Sequence, residues 1–326
     1  MGMGMGMGMA ETEQGEADKA GGCGGEEEEE EVVVDYFDVL PEDCIAKIVS
    51  LTSPRDACRL CLVSSVFRSA AESDAVWERF LPPEYLSVFD LRSRRPRPSK
   101  KDLYLSLCNQ PLLIDEGKKS FSLEKATGKK CYMLSARALS IVWGDTTRYW
   151  RWISLAEARF EDAAELIGVC WFEVRGKIDI RMLSPSTLYT ANLVFKLTVA
   201  YGFEHQPVDA RVGLVGGETS TRLVYLDTER RRWQRSQIVP RRLEIFLRNR
   251  AIQAYETSPP REEDNINNGH EHPKERGDGW IEVELGEFYY DGRQEGELEV
   301  SVLEVAGGNW KGGLIVQGIE IRPKQV

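Results

Sequence analysis

Four groups of side chains in this 326-residue chain have the types and spacing that suit chemistry. Six carboxylates crowd the C-terminal stretch: Glu282, Glu284, Glu295, Glu297, Glu299 and Glu304. Two carboxyls at a fixed separation are the minimum of a glycoside hydrolase, provided one is held protonated by its surroundings. Alternating Glu on a strand is more simply its wet face. Cys58-x-x-Cys61 has half of a zinc site's spacing, but no second pair follows at ligand distance. On a helix, two such thiols pack as small apolar groups. The histidines are three, His205, His270 and His272, which leaves little for general-base catalysis. The fourth group is aromatic. VWGDTTRYWRWISL, Val142 to Leu155, crowds Trp143, Tyr149, Trp150 and Trp152 together in a protein with eight tryptophans. Trp143 and Trp150 flank a Gly-Asp-Thr-Thr turn whose polarity predicts partial exposure, whereas Trp152, Trp171 and Trp280 are expected in a core. Phosphate-cradling glycine loops and nucleophile elbows are missing from the sequence.

These residues have to be positioned by elements of two different periods. From Asp35 to Tyr85 the pattern is helical. Pro41 suits a first helical position, Glu42 and Asp43 the favourable first turn, and Cys44, Ile45, Ile48, Val49 and Leu51 recur near 3.6. Ser53-Pro54 restarts the chain as N-cap and first helical residue, with Asp56 three places on. Ala57, Leu60, Cys61 and Phe67 continue the stripe, and a last short helix carries Val76, Trp77 and Phe80 before Pro82-Pro83. So short a module buries little surface, and its wide apolar stripe predicts a partner.

Beyond residue 120 the period falls to 2. Tyr189, Ala191, Leu193, Phe195, Leu197, Val199 and Tyr201 alternate with polar positions and predict a half-buried strand. Ile281 to Leu285 and Leu298 to Val302 alternate likewise, and Asp278-Gly279 and Asp291-Gly292 are turns. Six or more strands without long helices between them predict two packed sheets, a sandwich or jelly roll. Ser258 to Gly279 reads as a polar loop, and RSRRPRPSKK, residues 92–101, as a solvated basic spacer.

The net charge of -11 sits mostly in one place: residues 1–31 carry ten acidic groups against one Lys. This tail, with its Met-Gly repeats and EEEEEE run, is expected to be disordered. The start MGMGMG approaches a myristoylation signal but has Gly6 where Ser or Thr is wanted. Seven cysteines without a disulfide spacing, no Asn-x-Ser/Thr, and neither signal peptide nor membrane span predict the cytosol or nucleus.

The 35–85 segment resembles the F-box family at Leu40-Pro41, Ile45, Ile48, Leu51, the Ser53-Pro54-x-Asp56 restart, Leu62-Val63-Ser64, Phe67 and Trp77. GKKCYMLSARALSIVWGDTTRYWRWISL, with GDGWIEVELGEFYYD and GNWKGGLIVQGIEIRP near the end, resembles the phloem protein 2 family, whose relatives include the jasmonate-inducible tobacco leaf lectin. Ala138 departs from the acidic residue common in ARELS-type relatives, and an acidic, Asn-rich segment after Ser258 replaces the lectin's lysine-rich nuclear-targeting loop.

The resemblance implies an α+β multidomain chain: a disordered tail over 1–34, an all-α F-box over 35–85, a linker with a short helix over 86–119, and an all-β lectin-like sandwich over 120–326. It implies a substrate receptor of an SCF-type ubiquitin ligase, non-catalytic, with Leu40, Pro41, Ile45, Ile48, Leu51, Pro54, Leu62, Val63, Phe67 and Trp77 docking a Skp-type adaptor and through it a cullin. The sandwich would bind N-acetylglucosamine oligomers or N-glycan cores on glycosylated target proteins. Trp143, Trp150, Glu297 and Glu304 match the lectin's sugar-linked residues, and Asp145 is added because it lies beside Trp143. An indole stacks on the apolar C–H face of a pyranose while carboxylates accept its hydroxyl hydrogen bonds. The alternative within the same frame is a receptor that recognises protein surface without sugar. No cofactor, metal, nucleic-acid partner or membrane association is expected.

Overall fold

The structure is a computed structural model that describes residues 40–83, 98–203, 206–227 and 272–325. The acidic tail, most of the basic spacer, His205, His270 and most of the Ser258 to Gly279 loop lie outside the described residues.

Four short helices open the described chain: α1 (Glu42–Val49), α2 (Pro54–Leu60), α3 (Ser65–Glu72) and α4 (Asp74–Phe80). Each of the last three begins on a serine cap. Ser53, Ser64 and Ser73 accept the N–H of Asp56, Phe67 and Ala75, which satisfies donors that a helix start leaves open. A fifth helix, α5 (Lys100–Asn109), packs against α4, bringing the Tyr104 ring 5.2 Å from that of Trp77. The Trp77 indole N–H donates to Ala71 O at 2.7 Å.

The helical stripe is closed largely by the chain itself. Ile45, Val49, Phe67 and Trp77 share one continuous core with Leu103, Tyr104, Leu107, Phe121 and Leu123. The Tyr104 hydroxyl lies 3.1 Å from the carbonyls of both Glu124 and Lys125, and the Arg55 N–H donates to Ala126 O at 3.1 Å. Gly128 takes φ +71° where a Cβ would stand 3.4 Å from Pro54, so the turn at 124–128 can lie against α2. The predicted need for a partner is thereby corrected for the inner face and kept for the outer one. From Pro41 onward the described residues form one compact unit.

Two antiparallel sheets follow. The first runs β1 (Leu112–Ile114), β2 (Lys119–Leu123), β3 (Lys130–Ser135), β14 (Gly312–Pro323), β8 (Thr187–Tyr201), β12 (Ile281–Tyr290) and β11 (Lys274–Glu275); β6 (Ala163–Leu166) also pairs with β14 and carries β5 (Trp150–Ile153). The second runs β10 (Thr219–Val224), β9 (Val208–Leu214), β13 (Glu297–Glu304), β7 (Phe172–Asp179) and β4 (Ser140–Ile141). Strand β1 falls in the stretch predicted as linker.

Strand β8 is not half-buried. Tyr189 through Phe195 are all buried. One face meets the second sheet, and Val194 on the other packs with Met133, Phe160, Trp280 and Ile315 in a second small core. Tryptophan decides this cover, since the Trp280 indole N–H also donates to Glu157 O at 3.2 Å. On the same outer face Glu320 and Glu282 meet Arg159, Arg276 and Arg322 in a largely buried ion network.

Candidate functional site

The Trp143 turn follows β4. Gly144 N–H donates to Ile141 O at 3.0 Å, Thr146 N–H to Trp143 O at 2.9 Å, and Tyr149 N–H to Thr146 O at 2.8 Å. Winding this tight puts Trp143 at φ +58°, a left-handed conformation that costs a bulky residue about 1–2 kcal/mol. Its indole is 42% exposed. Below it, the Trp152 indole N–H donates to Gly144 O at 3.2 Å, and the Arg137 guanidinium covers the Trp152 ring at 3.7 Å.

Tyr149, half-buried, places its ring 5.2 Å from Trp143 and 6.4 Å from Trp310, with the planes tilted by 37° and 38°. Trp310 is 53% exposed. Tyr149 thus contacts both exposed indoles, one in the loop that follows β4 and one in the loop that precedes β14. Ile167 and Tyr201 are exposed beside Trp310, the Tyr201 hydroxyl donating to Ile167 O at 3.1 Å. Gly168 makes the approach possible: a Cβ there would stand 2.6 Å from the Tyr201 hydroxyl and 3.7 Å from the Trp310 ring.

Trp150 is a core residue, 1% exposed, stacked on Phe172 at 6.3 Å; the expectation that it presents an indole to solvent is corrected. Strand alternation gives the reason. On β5 Trp150 points in and Arg151 out. Trp171 is corrected the other way: it is exposed, with its N–H donated to Glu173 at 2.9 Å. Trp152 is half-buried and Trp280 buried.

The two acidic matches do not meet. Glu297 and Glu304 begin and end β13, roughly 23 Å apart at ~3.3 Å per residue. Glu297 is exposed and faces Asp179 in register. Glu304 is buried against the ammonium of Lys311, which is itself fully buried and donates to Asn309 O at 2.8 Å. Glu304 also accepts the N–H of Gly307 at 3.0 Å and the amide of Gln206 at 3.2 Å. Its carboxylate therefore anchors the loop that carries Trp310, and the expectation that it faces a ligand is corrected by its burial. Asp145 is exposed in the turn beside Trp143.

On the helical module, Leu40, Pro41, Ile48, Leu51, Leu62 and Val63 are exposed, with Leu62 reaching 83%. Ile45, Pro54, Phe67 and Trp77 are buried and build the module from inside. The expectation that these four present side chains to an adaptor is corrected by their burial. Cys58 is exposed rather than packed, and Cys61 is half-buried.

Two carboxylates on the outer face of the first sheet, Glu282 and Glu320, are held in their ionised form. Burial would raise Glu282 and Glu320, but hydrogen bonds and charge from the surrounding arginines outweigh it and lower both. Glu299 bonds Arg175 and Lys177. A glycosidase acid needs the opposite environment. Among the described residues no cluster of three or more metal-ligating side chains occurs, and no helix is long and apolar enough to cross a membrane.

Residues 129–323, which include Trp143, Trp310 and β13, match the family profile of phloem protein 2, and residues 37–83 match an F-box-like profile. The chain belongs to the phloem protein 2 family. Its F-box places it among modules that are in general non-catalytic adaptors. It is 47% identical to the F-box protein PP2-B1 of Arabidopsis thaliana over 305 residues, 89% of this chain and 90% of the relative. It is 46% identical to F-box protein PP2-B10 of the same plant over 293 residues, 89% of this chain and 95% of the relative. Trp310 is marked in the sequence by its neighbours: GGNWKGG surrounds a tryptophan with glycines, which leaves few side chains to cover it.

Proposed function

We propose that this F-box protein is the substrate-recognition subunit of an SCF-type ubiquitin ligase and that its sandwich binds a glycan on the target, with N-acetylglucosamine oligomers or an N-glycan core as the ligand. The exposed indole of Trp143, with Trp310 exposed on the far side of Tyr149, carries the reading. An indole held outward by a strained turn offers a flat face to a pyranose, and Asp145 beside it accepts hydroxyl hydrogen bonds. The outer residues Ile48, Leu51, Leu62 and Val63 dock the Skp-type adaptor, and through it the cullin. The chain works by proximity, raising the target's effective concentration near the ubiquitin-charged enzyme in the cytosol or nucleus.

A second reading, recognition of protein surface without sugar, draws support from Ile167 and Tyr201, which add further apolar area to the exposed indoles. Two variants of the full chain separate the parts. Leu62→Asp with Val63→Asp should abolish capture of a purified Skp-type adaptor and leave glycan-array binding intact. Trp143→Ala should do the reverse. Glycan binding unchanged in Trp143→Ala would remove this ring from the site, and a wild-type chain that binds no glycan on the array would favour the protein-surface reading.

A further inference from the structure

We propose that the cleft between α2, α5 and the turn at 124–126 binds a small amphiphile, an apolar chain that ends in a carboxylate, and that a ligand there competes with the adaptor for Leu62. The competition rests on the adaptor reading above; the site itself does not. The cleft encloses about 420 Å³, inside the ~300–1,000 Å³ usual for small-molecule sites. Pro54, Cys58, Leu62, Tyr104, Leu105 and Ala126 give it apolar walls. Hydrogen bonds hold these walls together: the Arg55 N–H donates to Ala126 O at 3.1 Å, and the Tyr104 hydroxyl meets the carbonyls of Glu124 and Lys125 at 3.1 Å. One side of the cleft is helical and the other is the turn between β2 and β3, so it exists only where the two are joined in one chain.

Charge decides the head group. Arg55, Arg59 and Lys125 stand around the same cleft. Among the described residues neither Arg55 nor Lys125 has a side-chain hydrogen bond or ion pair, and Arg59 has only an exposed 3.4 Å contact with Asp56. The carboxylate in the lining, Glu124, is turned into its own loop. Its two oxygens accept the N–H groups of Ala126 and Thr127 at 3.1 and 2.8 Å and the Thr127 hydroxyl at 2.7 Å. The cations around this apolar space thus have little to balance them, which matches an anion on an apolar body and repels a cation. A planar carboxylate also fits a guanidinium through two parallel hydrogen bonds. Leu62, 83% exposed, lines the cleft and is one of the residues assigned to the adaptor, so ligand and adaptor meet on the same side chain.

The experiment is calorimetric titration of the full chain with octanoate, decanoate and dodecanoate below their micelle-forming concentrations. Affinity should rise roughly tenfold for each two methylenes added. Dodecyltrimethylammonium, with the same chain and the opposite charge, should bind at least about tenfold more weakly than dodecanoate. Cys58→Phe, on the exposed side of α2, should fill the cleft and abolish binding of dodecanoate; Arg55→Ala with Lys125→Ala, which needs no repacking, should weaken it about tenfold. Saturating dodecanoate should lower capture of a purified Skp-type adaptor, and saturating adaptor should lower the affinity for dodecanoate by the same factor. No saturable binding of dodecanoate, equal binding of the cationic chain, or wild-type binding in both variants would overturn the site. Adaptor captured equally well with and without saturating dodecanoate would overturn the competition and leave the site standing. A wild type that captures no adaptor in the absence of ligand would remove the adaptor reading, and the competition with it.

Discussion

Trp143 and Trp150 stand seven positions apart, and their substitution should separate binding from folding. Trp150 is 1% exposed and stacks on Phe172. A fully buried aromatic removes about 150–250 Å² from water, worth roughly 4–6 kcal/mol at about 25 cal/mol per Å². Partial collapse around the vacated space and a compact unfolded chain reduce this, so Trp150→Ala should cost about 3–5 kcal/mol. That is a large share of the ~5–15 kcal/mol typical of a domain. Trp143 differs in both terms. At 42% exposure it still covers roughly 90–150 Å², worth about 2–4 kcal/mol including its contact with Tyr149, while Trp143→Gly relieves about 1–2 kcal/mol of left-handed backbone strain. The net change should be a loss of about 1–2 kcal/mol, well below that of Trp150→Ala. Urea unfolding followed by far-UV circular dichroism, which does not depend on the deleted indoles, measures stability; titration with N-acetylglucosamine trimer measures binding. Trp143→Gly should bind poorly with a modest drop in its midpoint, whereas Trp150→Ala should shift its midpoint strongly. A Trp150→Ala protein of wild-type stability that has specifically lost the sugar would refute the placement of this ring in the core.

Glu320 supplies a pH dependence. It is 7% exposed, and the charges of Arg276, Arg159 and Arg322 overcome its burial to bring its carboxyl down to about 2 from the ordinary 4.5. Between those values the unfolded chain binds the proton and the folded one does not, so the stability conferred by this group is complete above about pH 4.5 and is lost as pH falls toward 2. The gap corresponds to roughly 3 kcal/mol at about 1.4 kcal/mol per tenfold. Glu320→Gln should therefore be about that much less stable at pH 7 and lose less between pH 5 and pH 3, measured by urea midpoints across the range; a difference from wild type that does not vary with pH would contradict this. Tyr104→Phe removes the hydroxyl that meets the Glu124 and Lys125 carbonyls and should lower stability by about 1 kcal/mol. Hydrogen exchange should show faster opening of the 124–128 turn in that variant, and unchanged protection there would count against the hydroxyl as its tie.

Local patterns were readable wherever one residue's chemistry decides a short-range outcome. Ser53 with Asp56 predicts a helix start, and the cap forms with that pair. The period-2 runs at 189–201, 281–285 and 298–302 predict strands, and β8, β12 and β13 occupy them. What alternation does not reveal is the second cover on β8. Its polar positions Thr190 and Asn192 bond across the sheet and within the strand, and Val194 meets side chains from β3, β14 and the Phe160 loop. A strand reads as half-buried until the layer that arrives from elsewhere in the chain is known.

By itself the sequence determined that a helical module precedes an antiparallel sandwich and that an unusual density of rings lies near Trp143, because capping, periodicity and composition act over a few residues. Only the tertiary structure decided which rings face water. Trp143 and Trp150 carry the same side chain, but a left-handed turn sends one outward while strand alternation drives the other beneath β7. Trp310, distant in sequence, reaches Tyr149 because β14 returns to the β5–β6 hairpin and the Glu304–Lys311 pair fixes its loop there. Exposure depends on what other segments cover, and that is a property of the assembled sheets rather than of any stretch of residues.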